Sequence, residues 1–74
     1  MSRFHFDIRE NDRLIADEDG SDFEDDERVR QLALATGISI ARDAFVEGSA
    51  NRIIIEVRKD DTRFMRVAIS LSLD

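Results

Sequence analysis

The sequence predicts an α+β domain in the order ββαββ, with one helix packed on a four-stranded, mainly antiparallel sheet. Three observations carry that prediction. Four stretches alternate apolar and polar residues with the period of two that marks half-buried strands. One stretch, Asp25 to Gly48, has helical spacing and capping residues at both ends. Short polar turns join the strands in pairs on either side of that helix, which favours two hairpins over a parallel crossover.

The first strand is Ser2 to Arg9, with Phe4, Phe6 and Ile8 on one face and Arg3, His5, Asp7 and Arg9 on the other. Glu10-Asn11-Asp12 supplies the turn, and Arg13 to Ala16 is a short second strand expected to point Leu14 inward. Asp17 to Glu24 is an acidic connection in which Gly20 allows a turn and Phe23 anchors the segment to the core. After the helix, Gly48 to Asn51 is a loop. Arg52 to Arg58 is the third strand, with Ile53, Ile55 and Val57 facing inward. Lys59 to Thr62 turns into the longest strand, Arg63 to Leu73, whose inward row is Met65, Val67, Ile69, Leu71 and Leu73. Its long apolar row, like that of the first strand, suggests that these two lie side by side in the centre. The expected core includes Phe4, Phe6, Val29, Ile40, Ile55, Val67 and Ile69.

In the helix, Asp25 is the expected N-cap, with Asp26 and Glu27 suited to the positive end of the helix dipole. Ser21 and Glu24 form a competing capping box one turn earlier, and Gly48 is the natural stop. Val29, Leu32, Ala33, Thr36, Ile40 and Ala44 share the face that should lie on the sheet, with Gly37 at its edge. A glycine inside a helix costs about 1 kcal/mol relative to alanine, and close approach to another backbone would explain it. Leu34, Ile38, Ala41 and Phe45 form a second apolar stripe that one sheet cannot also cover.

The 74 residues make a single domain, 1–74, with no room for a second. A chain this short has a marginal core, and the absence of cysteine removes disulfides and thiolate metal sites as supports. No apolar run reaches the length of a membrane span, and MSRFHFDIRE lacks a signal-peptide core, so a soluble cytoplasmic protein is expected. The net charge of −6 is unevenly spread. Eight acidic and no basic residues fall between Asp17 and Glu27, while the remainder is slightly basic. One helix covers one sheet face and leaves the other open. The residues assigned to the open face include six arginines against two carboxylates, Asp7 and Glu56.

Several chemistries lack their residues. Asp17, Asp19 and Gly20 suggest a calcium loop, but alignment on the glycine puts Ile15 at the first ligand and Asp26 at the last. A solvated acidic loop is the expectation, with no metal and no cofactor. His5, the sole histidine, shares a strand face with Asp7 but has no nucleophile motif to serve. It is read as an exposed strand residue, and Ser39, Ser70 and Ser72 as ordinary ones. No catalytic residues are assigned, and no enzymatic activity is expected.

RFHFDIRE, the D-E-D-G of Asp17 to Gly20, the helix opening at Asp25 and Glu27, and the I-E-V-R-x-D of Ile55 to Asp60 resemble a family of small bacterial proteins of unknown function. In that family an aromatic-rich first strand and a D-x-x-G loop precede the helix, and a short hairpin ends the domain. Here Phe23-Glu24-Asp25 replaces the usual L-P-D, and larger residues replace an alanine-rich helix face. The resemblance implies no activity and transfers no functional residues.

The functional expectation is a non-enzymatic interaction module that self-associates, most simply as a two-fold dimer. Its interface would be Leu34, Ile38, Ala41 and Phe45, with Arg42 and Glu47 at the rim. An unidentified protein is the other partner such a stripe would suit. The alternative is a small nucleic-acid-associated regulator using Arg3, Arg9, Arg13, Arg52, Arg58, Phe64 and Arg66. One aromatic and an adjacent acidic loop argue against nucleic acid, and salt dependence separates the two readings.

Overall fold

Alternation of apolar and polar side chains produces the strands expected of it, and a fifth that it did not announce. In a computed structural model describing all residues from Met1 to Asp74, the strands are β1 (Ser2–Glu10), β2 (Arg13–Ile15), β3 (Ser21–Phe23), β4 (Arg52–Lys59) and β5 (Thr62–Ser70). The helix, α1 (Asp26–Glu47), lies between β3 and β4 in the chain. The class is α+β as expected, but the sheet has five strands rather than four. Every pairing is antiparallel.

The extra strand comes from the acidic connection. β2 and β3 both pair with the same edge of β1, at Ile8↔Ile15 and Phe4↔Ser21. Between those points β1 has three residues and its partner five, Ala16 to Gly20, which therefore form a bulge of two extra residues in one interrupted edge strand. A three-residue strand of Ser, Asp and Phe carries no alternation to reveal it.

The strand order is β2-β1-β4-β5, with β3 alongside β2 on the outer side of β1. This corrects the expectation that the first and last strands are central neighbours. β4 stands between them, and β5 is a free edge. The physical reason lies in Ile53-Ile54-Ile55, which are all buried. A run that is apolar on both faces marks a strand covered on both sides by neighbours, whereas β5 is apolar on one face only.

Phe4, Phe6 and Ile8 of β1, Ile53, Ile55 and Val57 of β4, and Met65, Val67 and Ile69 of β5 share the helix side through cross-strand register. The same register corrects β2. Ile15 lies opposite Ile8 and faces the helix side, while Leu14 lies opposite Arg9 on the open face. Arg13, opposite Glu10, also leaves the open face. β5 ends at Ser70, so Leu73 lies beyond the sheet and is 85% exposed rather than inward.

The helix starts and stops where expected. Asp25 Oδ1 accepts the Glu27 N–H at 3.0 Å, and Gly48, at φ 77°, closes the C-terminus with its N–H on the Ala44 carbonyl. The contact stripe is Val29, Ala33, Gly37, Ala41 and Ala44. Its central residue is Gly37, where an added β-carbon would stand 3.3 Å from Ile55 Cγ1 and 3.5 Å from Ile69 Cδ1 and Val67 Cγ1. Small side chains let the helix sit low on the sheet, and this rotates it away from the expected face. Ala41 is 3% exposed and belongs to the core, not to the outer stripe. Leu32 turns out to solvent, and Ile40 and Phe45 are half-buried at the flanks of the core.

Ile55 is fully buried at the centre of this contact. Ile55→Ala is expected to destabilise the domain by about 2–5 kcal/mol. Gly37→Leu is expected to cost about 1–3 kcal/mol by overpacking, despite leucine's better helix propensity. Urea denaturation measures both, and an unchanged midpoint for either variant would contradict this packing.

Candidate functional site

Two surfaces are free: the sheet face opposite the helix, and the flank of α1 beside the β5 edge. On the open sheet face the polar side chains engage one another. Arg58 donates to both oxygens of Asp7, at 2.8 and 3.2 Å, and its second terminal nitrogen also reaches the Asp17 carbonyl at 3.3 Å. Arg3 pairs with Asp22 at 3.3 Å and donates to the Asp19 carbonyl at 2.7 Å. Arg66 stands 3.9 Å from Glu56.

Asp17 organises the bulge beneath these pairs. One carboxylate oxygen accepts the Phe6 N–H at 3.1 Å, the other accepts the Gly20 N–H at 3.0 Å, and the Asp17 N–H donates to Asp7. The carboxylate thus takes the place of the strand carbonyl that the bulge removed from β1. The Nδ1–H of His5 donates to the Asp17 carbonyl at 2.7 Å, so this half-buried imidazole is tied to the loop and is not the exposed residue expected. Gly20, at φ 72°, lies so close that an added β-carbon would stand 2.8 Å from His5 Cε1. Asp17 was read as a solvated carboxylate. The D-x-x-G spacing, in which an aspartate oxygen caps a glycine N–H three residues on, was the signal that could have assigned it.

The arginine set is only partly brought together. Arg3, Arg9, Arg52, Arg58 and Arg66 share the open face by register, but Arg13 does not. Phe64 is not there either. A bulge in β5 opposite Val57 and Arg58 adds one residue, and the Phe64 ring packs edge-on against Phe4 with centroids 5.3 Å apart. The large apolar residues that the open face does hold are exposed Leu14, opposite Arg9, and Ile54, 4% exposed between Arg9 and Ala68.

On the helix, Leu34 is 41% and Ile38 60% exposed, with half-buried Phe45 on the same flank. The opposite flank faces β1, because Ile40, Asp43, Ala44 and Glu47 line a cleft of about 220 Å³ with Glu10 and Ser49. The Leu34–Ile38–Phe45 flank therefore looks toward the β5 edge. In the cleft, the Ser49 hydroxyl donates to the Ala44 carbonyl rather than to a carboxylate, and the carboxylates of Glu10, Asp43 and Glu47 gather with no Lys, Arg or His among the lining residues. That arrangement holds no activated nucleophile.

The sequence profile of one family, Domain of unknown function (DUF6894), matches residues 3–70. No curated protein and no solved structure matches the chain.

Burial would raise the Asp7 pKa, but the Arg58 hydrogen bonds, the Asp17 N–H and the charges of Arg58 and His5 outweigh it and hold the carboxyl below its ordinary value. The Phe6 and Gly20 N–H groups hold the Asp17 carboxyl down as well. Carboxyls depressed by folding contribute stability above the ordinary carboxylate range, and that stability is lost as pH falls through their folded values. Acid unfolding should therefore steepen below that range. Asp17→Asn should lose about 1–2 kcal/mol at neutral pH, small because the loop is open to water, and should flatten the acid limb. Parallel acid limbs in thermal melts of variant and wild type would contradict the assignment.

Proposed function

The chain belongs to the DUF6894 family, and we propose that it is a small non-enzymatic interaction module that self-associates through the α1 flank carrying Leu34, Ile38 and Phe45. The observation that carries this reading is the exposure of Leu34 and Ile38 side by side on one flank of the helix, next to half-buried Phe45, whereas exposed Leu32 and Val46 stand apart from that flank. Fully burying such a side chain is worth about 1.5–3 kcal/mol, and covering the exposed half of Leu34 and Ile38 recovers roughly half of that each, still appreciable beside the stability of so small a core. Ala41 lies beneath the helix and contributes no surface. A second copy is the simplest occupant, since one apolar patch then serves both sides.

The runner-up, nucleic-acid association through the open face, has less support. Arg3, Arg58 and Arg66 meet carboxylates of the same chain, and Phe64 is packed on Phe4 rather than presented for base stacking. Arg9 and Arg52 are left for phosphate, together with Arg63, which the register sets opposite Arg58.

Sedimentation across a concentration series tests the reading. The wild type should associate with little salt dependence, and Ile38→Asp should give a folded monomer with at least about a 100-fold weaker dimer. A monomeric wild type at millimolar concentration would overturn self-association. Salt-sensitive retention of single-stranded DNA, abolished in Arg9→Ala/Arg52→Ala, would support the runner-up instead.

A further inference from the structure

The two edges of this sheet are built differently. The outer edge of β1 is closed by two three-residue strands, an acidic bulge and the side chain of Asp17. The β5 edge has none of these devices beyond the bulge near Phe64. From Val67 to Leu73 it carries no charge, no proline and no glycine. A free edge of that composition templates strand pairing unless something covers it. The apolar alternation also overruns the sheet: β5 ends at Ser70, yet Leu71-Ser72-Leu73 continues the pattern.

We propose that β5 pairs antiparallel with β5 of a second copy about a two-fold axis at Ile69, joining the two sheets into one. This rests on the self-association proposed above and specifies its geometry. Ile69, Val67 and Met65 pair with Ile53, Ile55 and Val57 of β4, and the Leu71 N–H donates to Asn51. Their backbone groups therefore point to β4, and those of Arg66, Ala68 and Ser70 point outward. Pairing outward groups with outward groups keeps both apolar faces on the helix side. An axis at Arg66 would set two guanidiniums directly opposite each other, which is repulsive. An axis at Ile69 instead matches Val67 with Leu71 and Met65 with Leu73 of the second copy. It also places Arg66 diagonal to Asp74 of that copy, a favourable charge pair.

The helices fit the same axis. α1 packs equally on β4 and β5, so it lies over the groove between them. With neighbouring strands about 4.8 Å apart, two such helices across a β5–β5 pair stand roughly 10 Å from each other, the usual spacing of packed helices. Gly37 sits over Val67 and Ile69, so Ile38 falls next to the axis. Leu34 of each copy then reaches toward Phe45 of the other.

The test combines Ala68→Pro with amide exchange on the wild type. Proline at residue 68 removes an outward N–H and no β4 hydrogen bond, so the fold should survive while the dimer dissociation constant rises at least about 100-fold. In the wild-type dimer the amides of Arg66, Ala68, Ser70 and Ser72 should be protected, and dilution to monomer should release them. An Ala68→Pro variant that still dimerises while Ile38→Asp does not would sink the β5 pairing and leave the helix interface standing. If the proline variant fails to fold, exchange decides: rapid exchange of Ala68 and Ser70 in the wild-type dimer overturns the proposal. A wild type that stays monomeric overturns both readings.

Discussion

The helix rests on the sheet through Gly37, and the position of that contact governs the rest of the molecule. Because Gly37 has no side chain, α1 lies so close to the sheet that an added β-carbon would stand only 3.3–3.5 Å from Ile55, Val67 and Ile69. It thereby sits over β4 and β5 rather than over the middle of the sheet. Two consequences follow from this offset. Toward β1 the helix leaves the cleft between Ile40 and Glu10. Toward β5 it carries Leu34 and Ile38 out to where the domain has no more sheet to cover them. A larger residue at position 37 would lift the helix and weaken both sides of the core together.

The electrostatics of the open face obey a similar economy of neighbours. Its arginines look like a cationic surface when counted, yet the fold places Asp7, Glu56 and the acidic bulge within reach of the guanidiniums. The bulge therefore has a structural task. It repairs the hydrogen bonding of β1 through Asp17 and supplies acceptors to Arg3, His5 and Arg58. Exposed ion pairs of this kind add little stability singly. Here they share residues with backbone hydrogen bonds of the edge strand, and together they tie the bulge to β1 and β4.

Much of the architecture was legible in the residue pattern. The helix boundaries followed from Asp25 and Gly48, because caps depend on local geometry. The inward rows of β1, β4 and β5 followed from alternation, because pleating is local too. The orientation of β2 did not, since three residues carry too little period to decide a face, and pairing with Ile8 decided it instead. β3 escaped for the same reason. Phe64 was misplaced because alternation assumes an unbroken register, and one bulged residue reverses every face beyond it.

By itself, then, the sequence determined the α+β class, the limits of the helix and the residues of the core rows. These depend on interactions within a few residues. Gly37, expected at the edge of the contact face and against another backbone, instead stands at its centre against the side chains of Ile55, Val67 and Ile69. Strand order, the turning of Ala41 inward and Leu32 outward, the neutralising of Arg58 by Asp7 and the exposure of the β5 edge were decided by tertiary structure alone. Each depends on which distant segments become neighbours, a choice made by burial summed over the whole chain. No single stretch of residues carries that sum.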